Sequence, residues 1–254
     1  MDEGTIRAAL EMLQAYAGSS TQPLANVVRQ FVQLAQLDGP LKLFGGPPST
    51  CDVATFNQVT DIDILHSRGH LIPEDWAKRL PNNSSPYYST MAFLVRKGNP
   101  KHIDNWDDLV RGGVELVMPN PKTSGNGRYT YLAALGYAQD RFGDDQDAID
   151  SFMADLLRHV KVFDSGGRGA TTTFIERGIG DVLLTFESEV LNLADRFDNG
   201  EYQVVTPKVS FLAEFPVTWI DEYVKQNGTE DLAKAYLEHL YSEEAQRLLA
   251  SFNY

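Results

Sequence analysis

Cysteine is almost absent from this chain. Its 254 residues include a single cysteine, Cys51, so no disulfide and no cysteine-based zinc site can form within the sequence. We expect Cys51 to be a small buried apolar residue. His66 and His70 are four residues apart, but Gly69 between them indicates a fraying helix end and not a metal-binding pair. The sequence therefore predicts neither a metal nor a cofactor.

Positive charge and long apolar runs are also scarce. Lys and Arg number 22 against 35 Asp and Glu, which gives a net charge of −13. The phosphates of nucleic acids and anionic membranes would repel such a chain, which argues against both as partners. No apolar run is long enough to span a bilayer, and the start, Met1 to Gly4, lacks the pattern of a signal peptide. We expect either a cytoplasmic chain or one whose export signal has been removed.

Motifs of the common enzyme classes are missing as well. The sequence has no nucleophile elbow, no Walker loop and no HExxH motif. Glu187 and Glu189 stand two apart at a predicted strand end, where they could act as paired carboxylates on one face. A charge cluster at a helix start is the alternative, which we favour. Asp144 to Asp147 is likewise expected at a solvated helix N-terminus and not at a calcium site. These absences favour a protein that is not an enzyme.

One segment is unusual, Pro119-Asn120-Pro121-Lys122-Thr123-Ser124-Gly125-Asn126-Gly127. It separates an apolar strand at 114–118 from a helix expected to begin near Tyr129. Ser124 and Gly125 are therefore expected at or near a helix N-terminus. Unpaired N–H groups and the helix dipole at such an end stabilise an oxyanion. An ordinary serine N-cap without a ligand is the alternative.

A second segment repeats this arrangement about forty residues later. Val160 to Asp164 is predicted as a strand, and the glycine-rich stretch 165–173 then leads into a helical turn at 174–177. Its three glycines would let the backbone approach a ligand closely, although a turn needed only for chain reversal has the same composition. The two segments together suggest one anion site.

The order of elements predicts the fold class. Between Trp106 and Val205 short apolar strands alternate with helical segments, which is typical of an α/β sheet with helices on both faces. Ligands of such sheets bind beyond the carboxyl ends of the strands, where both unusual segments fall. Elsewhere we expect helices at 5–16 and 24–37, a polar linker at 81–86, and one long helix at 229–249.

Further motifs extend over most of the chain, from about Asp52 to Tyr254. They are Leu71 to Trp76, Arg79 to Pro86, Phe93 to Pro100 and Arg168 to Phe174. Together with the segment 119–127 they resemble the prokaryotic sulfate/thiosulfate-binding proteins of ABC importers. The sequence looks closer to the thiosulfate-binding branch, because it has the motif 55–61 and because Phe186 stands where the sulfate-selective branch usually has a ligand-binding tryptophan.

The resemblance implies a periplasmic-binding-protein-like α/β fold with two lobes, mixed sheets and a cleft between them. Residues 1–85 plus 208–254 would form lobe one, and residues 86–207 would form lobe two. The implied function is capture of thiosulfate or sulfate in the periplasm, by lobes that close on a hinge and then present the anion to an ABC permease. It also implies no cofactor and no direct insertion into the membrane.

The resemblance further implies contacts to the anion. The donors would be one hydroxyl and three backbone N–H groups, those of Ser124, Gly125, Asn126 and Gly167. Phe186 would line the site, and Arg128 and Arg168 would lie near it as supports or in salt bridges. The family often has a glycine at the position of Asn126; the backbone donor survives this change, but the pocket is expected to be narrower.

Lobe one departs from the family and is expected to be truncated or rebuilt. Family members begin with a strand and an Asp-containing loop that gives one amide to the anion, and this loop has no counterpart here. A second loop could correspond to Ala17 to Ser20, with Ser19 as the donor. Each absent charge-assisted hydrogen bond costs about 1.5–3 kcal/mol, so we expect weaker binding than is usual for the family, or none. The alternative is a degenerate, non-transporting interaction or sensor module. The preference between sulfate and thiosulfate stays open.

Overall fold

The computed structural model describes residues 52–196 and 200–254. Several expectations from the sequence fall outside these residues. They are the helices at 5–16 and 24–37, the Ala17 to Ser20 loop with its donor Ser19, and the burial of Cys51.

Short strands and helices alternate along the described residues. The strands are β1 (Val53–Thr55), β2 (Tyr88–Ser89), β3 (Met91–Arg96), β4 (Leu116–Pro119), β5 (Val160–Asp164), β6 (Val182–Phe186), β7 (Tyr202–Val205), β8 (Ala213–Glu214) and β9 (Val217–Trp219). The helices are α1 (Val59–Ser67), α2 (Gly125–Phe142), α3 (Gln146–His159), α4 (Gly167–Ile175), α5 (Glu187–Arg196), α6 (Asp221–Asn227), α7 (Glu230–His239) and α8 (Glu243–Ala250). Within these ranges, none of the helices is both long and apolar enough to cross a bilayer.

The chain divides into two compact units. Among the described residues, one unit contains 52–88, 214–252 and Tyr254; we call it the smaller unit because the structure describes fewer of its residues. The larger unit contains 89–196, 200–213 and Asn253. The chain passes between the units at residues 88–89 and 213–214, within β2 and β8. The larger unit is therefore nearly continuous in sequence, whereas the smaller unit is assembled from two separate segments.

The larger unit is built on a mixed sheet with strand order β5-β4-β6-β3-β7. Strand β4 runs parallel to β5 and β6, and β3 runs antiparallel to β6 and β7. The carboxyl ends of β4, β5 and β6 therefore lie at one edge of the sheet. Each of these strands is followed by a helix, α2, α4 and α5 respectively.

Helices cover both faces of this sheet, as the alternation of elements predicts. Strand β3 is an apolar run in which Met91 to Val95 are at most 1% exposed. Successive residues of a strand point to opposite faces, so a continuous apolar run needs cover on both. On one face Leu94 packs in a cluster with Phe174 of α4. On the other face the ring of Phe186 in β6 lies 6.1 Å, centroid to centroid, from the ring of Tyr129 in α2.

The smaller unit pairs β1 with β9 in antiparallel register. Its core contains Ile62 of α1 together with Trp76 and Ile220. Arg79 holds the two segments of this unit together. It donates hydrogen bonds to the Thr218 hydroxyl at 3.0 Å and the Trp219 carbonyl at 2.8 Å, and it forms an ion pair with Asp221.

Two regions of the smaller unit differ from the sequence-based expectation. The predicted long helix at 229–249 is wrong, because the chain forms α7 and α8 separately and the Ser242 hydroxyl caps α8 by accepting the Ala245 N–H. The predicted linker at 81–86 is also wrong. Asn82, Asn83 and Ser84 have φ of 54, 56 and 57°, a left-handed turn in which the buried Ser84 hydroxyl accepts the N–H of Leu80.

Two helix starts in the larger unit can also be compared with the sequence-based expectation. Helix α4 begins at Gly167, earlier than the predicted turn at 174–177. Its glycines have low helix propensity, but burial of Ala170, Thr173 and Phe174 against the sheet outweighs it. Glu187 and Glu189 lie in the first turn of α5 and not at a strand end, so the favoured helix-start alternative is confirmed.

Candidate functional site

The most distinctive region of the larger unit is the sheet edge where β4, β5 and β6 end. Five residues separate β4 from α2, two separate β5 from α4, and β6 passes directly into α5. Because the three strands end at one edge, the helices that follow begin close to one another. The edge therefore combines several positive helix N-termini.

Ser124 caps the start of α2, which confirms its expected place at a helix N-terminus, although the helix begins at Gly125 and not near Tyr129. Its hydroxyl oxygen accepts a hydrogen bond from the Gly127 N–H at 3.4 Å. A hydroxyl that accepts one hydrogen bond still has its own proton to donate. Gly125 and Asn126 are the first two residues of the helix, so their N–H groups lie at its positive end.

Gly127 allows this helix to begin against its own preceding loop. A Cβ atom at this position would lie 2.7 Å from the carbonyl carbon of Asn120 and 2.8 Å from the nitrogen of Pro121. Backbone atoms cannot move away cheaply, so a larger residue would push the first turn outward. Glycine at this position therefore fixes where Ser124 and Asn126 are held.

The start of α4 lies next to the start of α2. The Asn120 N–H donates to the Asp164 carbonyl at 2.7 Å, and the Thr123 hydroxyl donates to the Ser165 carbonyl at 3.0 Å. Gly166 is the N-cap of α4 and has no side chain with which to cap it. The structure thus brings the two loops that the sequence analysis singled out into direct contact.

A buried polar cluster lies between these helix starts. Asn126 and Glu189 are only 3% and 5% exposed, and Thr185 is fully buried. The Asn126 Nδ2 atom donates to Thr185 Oγ1 at 2.7 Å and approaches Glu189 Oε2 at 3.4 Å. The Thr185 hydroxyl donates to Glu189 Oε2. The cluster connects the first turns of α2 and α5 through the last residues of β6.

The remaining site predictions can be placed individually. Phe186 is the last residue of β6 and is fully buried. Arg168, in the first turn of α4, is exposed, and Arg128 in α2 is half-buried. Ser19 lies outside the described residues.

Glu187 and Glu189 are not arranged as a catalytic pair. Glu187 Oε2 accepts a hydrogen bond from the Thr90 hydroxyl at 3.0 Å, whereas Glu189 faces Thr185 and Asn126. In the part of the chain that the structure describes, no group of three or more His, Cys, Asp or Glu side chains is placed to hold a metal ion. The arrangement offers hydrogen-bond donors and helix dipoles, which suit an anion.

Sequence reasoning missed the roles of Thr185 and of the Asn126 side chain. Thr185 lies inside an apolar strand, Val182–Phe186, and nothing in that pattern distinguishes it from a packed residue. Asn126 was singled out only for its backbone. The side-chain contact depends on how β6 and α2 meet at the sheet edge, which no local sequence pattern encodes.

Comparison with known proteins gives a family and several relatives. Residues 42–254 match the family described as bacterial extracellular solute-binding protein. The thiosulfate-binding protein of Escherichia coli is 55% identical over 96% of the chain, and that of Pseudomonas aeruginosa is 52% identical over 79%. The sulfate-binding protein of Escherichia coli is 48% identical over 80%. The chain spans 67%, 60% and 61% of the length of these three relatives.

Solved structures agree with this match. The sulfate-binding protein SubI of Mycobacterium tuberculosis superimposes with a TM-score of 0.70 at 32% identity, covering 82% of this chain and 68% of that one. A periplasmic thiamin-binding protein gives a TM-score of 0.64 at 18% identity, over 91% of this chain and 77% of that one. At that identity the second likeness concerns the fold alone. The expected α/β fold of the periplasmic-binding-protein type is confirmed.

Proposed function

The chain belongs to the bacterial extracellular solute-binding proteins, and within them to the sulfate/thiosulfate-binding proteins; from this premise we propose that it captures thiosulfate or sulfate for ABC-type import. Its identity to the two thiosulfate-binding relatives, 55% and 52%, exceeds the 48% to the sulfate-binding one. We therefore propose thiosulfate as the preferred anion.

The observation that carries this proposal is the contact between the starts of α2 and α4. The two helix N-termini each contribute about half a positive charge and several N–H donors. A dianion that is not protonated can use donors only, since it has no hydrogen of its own to give. The arrangement thus suits a tetrahedral sulfur oxyanion.

We assign the donors as the resemblance implied them. They are the Ser124 hydroxyl and the backbone N–H groups of Gly125, Asn126 and Gly167. Arg168, exposed at the start of α4, would attract the anion over a longer range. Phe186 would close the apolar side of the site from the end of β6. Ser19 stays a proposed additional donor.

The proposed partner is the permease of an ABC importer, and the proposed compartment is the periplasm. The family is described as extracellular, and the relatives are named for binding and not for catalysis. We accordingly propose that the chain has no enzymatic activity. With a net charge of −13, anion capture must rely on local donors and dipoles, because the overall field repels the ligand.

Isothermal titration of the purified chain with thiosulfate and with sulfate tests the proposal, with phosphate as the control anion. We expect saturable one-to-one binding of at least one sulfur anion and no binding of phosphate at neutral pH. Phosphate carries at least one proton at neutral pH, and a site made only of donors offers no acceptor for that proton.

A folded sample that binds neither sulfur anion contradicts the proposal. The degenerate interaction or sensor module would then be the better description of the chain. Circular dichroism and a cooperative thermal transition of the same sample establish that it is folded. Binding of phosphate with equal affinity would contradict the assignment of a donor-only site.

A further inference from the structure

Gly167 has to be glycine because a side chain there would collide with its neighbours, and not because of its backbone conformation. The glycines with positive φ among the described residues do not include Gly167. A Cβ atom there would nevertheless lie 2.9 Å from Asn126 Nδ2 and 3.2 and 3.3 Å from the two carboxylate oxygens of Glu189. Real Cβ atoms essentially never come so close to a nitrogen, so an alanine at this position would displace its neighbours.

The volume that Gly167 leaves empty is filled by the Asn126 amide and the Glu189 carboxylate. Both side chains are more than nine-tenths buried and are tied to each other and to Thr185 by hydrogen bonds. A buried side chain held in this way has little freedom to yield. The first turn of α4 therefore rests directly on a side chain that belongs to the first turn of α2.

We infer that Asn126, Gly167 and Glu189 act as one positioning unit, which sets the separation between the N–H groups of Asn126 and Gly167 and thereby the size of the anion accepted. This inference rests on the proposed function. Asn126 is the spacer, Gly167 is the surface it contacts, and Glu189 holds the spacer in place. Thiosulfate is larger than sulfate because a sulfur atom replaces one oxygen. A fixed separation between the two helix starts would therefore affect the two anions differently.

A double-mutant cycle on the contact between Asn126 and Gly167 tests the inference. Gly167→Ala should weaken thiosulfate binding by about tenfold or more, because the new methyl group forces the two helix starts apart. Asn126→Ala keeps the backbone N–H but removes the spacer, so we expect a loss of about three- to tenfold and a change in the thiosulfate-to-sulfate affinity ratio. The double variant should bind at least about threefold more tightly than Gly167→Ala alone, since the colliding amide is gone.

Gly136→Ala is the matched control. Gly136 lies in α2, and a Cβ atom there would meet nothing within 4 Å. The Gly136→Ala variant should bind with the same affinity and the same thiosulfate-to-sulfate affinity ratio as the parent chain. A double variant that binds as weakly as the product of the two single losses would overturn the inference. So would single variants that weaken both anions by the same factor.

Glu189 supplies a second test that does not depend on Gly167→Ala being folded. Glu189→Gln keeps an acceptor oxygen of the same shape and should stay within about threefold of the parent affinity, whereas Glu189→Ala should lose about tenfold or more. Equal losses in the two variants would overturn the positioning role. If Gly167→Ala fails to fold, recovery of a cooperative unfolding transition in the double variant supports the steric pairing, and continued failure contradicts it.

Failure of this inference can be distinguished from failure of the proposed function. A parent chain that binds neither sulfur anion contradicts the function itself. A parent chain that binds, combined with a double variant that shows no recovery, contradicts only the positioning unit.

Discussion

Ser124 can serve two purposes with one hydroxyl. Its oxygen accepts the Gly127 N–H and so caps α2, while its proton is left to donate to a bound anion. Removing the hydroxyl should therefore lower stability and affinity together. Only the second effect depends on the ligand, so the two can be measured separately.

We expect Ser124→Ala to weaken binding of the sulfur anion by at least about tenfold, because a buried anion oxygen loses its donor. The same change should cost about 1 kcal/mol of stability through the lost cap. Isothermal titration measures the first quantity, and urea unfolding of the ligand-free chain measures the second.

Ser242→Ala is the matched control for this prediction. The Ser242 hydroxyl caps α8 by accepting the Ala245 N–H at 3.2 Å, so its loss should cost similar stability. It lies in the smaller unit and is not among the proposed donors, and affinity should be unchanged. Unchanged affinity in Ser124→Ala would contradict the assignment of Ser124 as a ligand donor.

At the level of residues, the sequence located helix starts better than side-chain contacts. Ser124 was placed at a helix N-terminus because a strand, two prolines and a polar cap residue precede an amphipathic segment, all of which are local signals. The contact of Asn126 with Thr185 joins positions 59 residues apart and depends on the packing of a helix on a strand. Local patterns contain no such information.

Among the elements of the larger unit, one side chain of β3 contacts both α4 and the loop that follows α4. Arg96 of β3 donates to the Gly180 carbonyl at 2.8 Å and to the Ile179 carbonyl at 3.1 Å. Its guanidinium carbon also lies 3.8 Å from the centroid of the Phe174 ring in α4. The planar fork of arginine makes these contacts simultaneously, which the ammonium group of lysine cannot do.

We accordingly expect Arg96→Lys to lower the free energy of unfolding by about 1–3 kcal/mol, although the charge is kept. Urea unfolding followed by circular dichroism measures the change. Arg158→Lys is the control, since the Arg158 side chain is 68% exposed and a surface ion pair contributes little. Equal stability of the two variants would show that the charge of Arg96, and not its geometry, is what matters.

The elements with the strongest local patterns were also the best predicted. The sequence predicts strand β5 with the bounds that the structure shows, because it is a short alternating run that ends at turn residues. The errors occurred where burial or a hydrogen bond outweighs propensity. Examples are α4, which begins on glycines, and the turn at Pro81–Ser84, which is stabilised by the buried Ser84 hydroxyl.

On the scale of the whole molecule, buried tyrosines limit stability at high pH. Tyr87 is 6% exposed and Tyr236 is fully buried, and burial raises the pKa of both hydroxyls above the ordinary value near 10. The unfolded chain therefore loses these protons at lower pH than the folded chain does. The stability contributed by the neutral hydroxyls is complete below about pH 10 and declines as the pH rises above it.

We expect the thermal midpoint of the parent chain to fall as the pH rises above about 10, and to fall less steeply in Tyr87→Phe. The phenylalanine keeps the ring that stacks on Phe215, whose centroid is 5.0 Å away, and removes the titrating group. Tyr88→Phe, at a neighbour that is 59% exposed, is the control, and its profile should follow that of the parent. Identical slopes for all three proteins would contradict this explanation.

The order in which the two units can fold during synthesis follows from how the chain is divided between them. Residues 89–213 form nearly all of the larger unit, so this unit can fold as soon as those residues have left the exit tunnel. The smaller unit needs residues 214–252, and until they are synthesised β1 has no β9 to pair with and Arg79 has neither Trp219 nor Asp221. The first segment of the smaller unit therefore stays unfolded, with apolar surface exposed, after the larger unit has folded. During this interval the unpaired β1 and its apolar neighbours are the part of the chain most prone to aggregation.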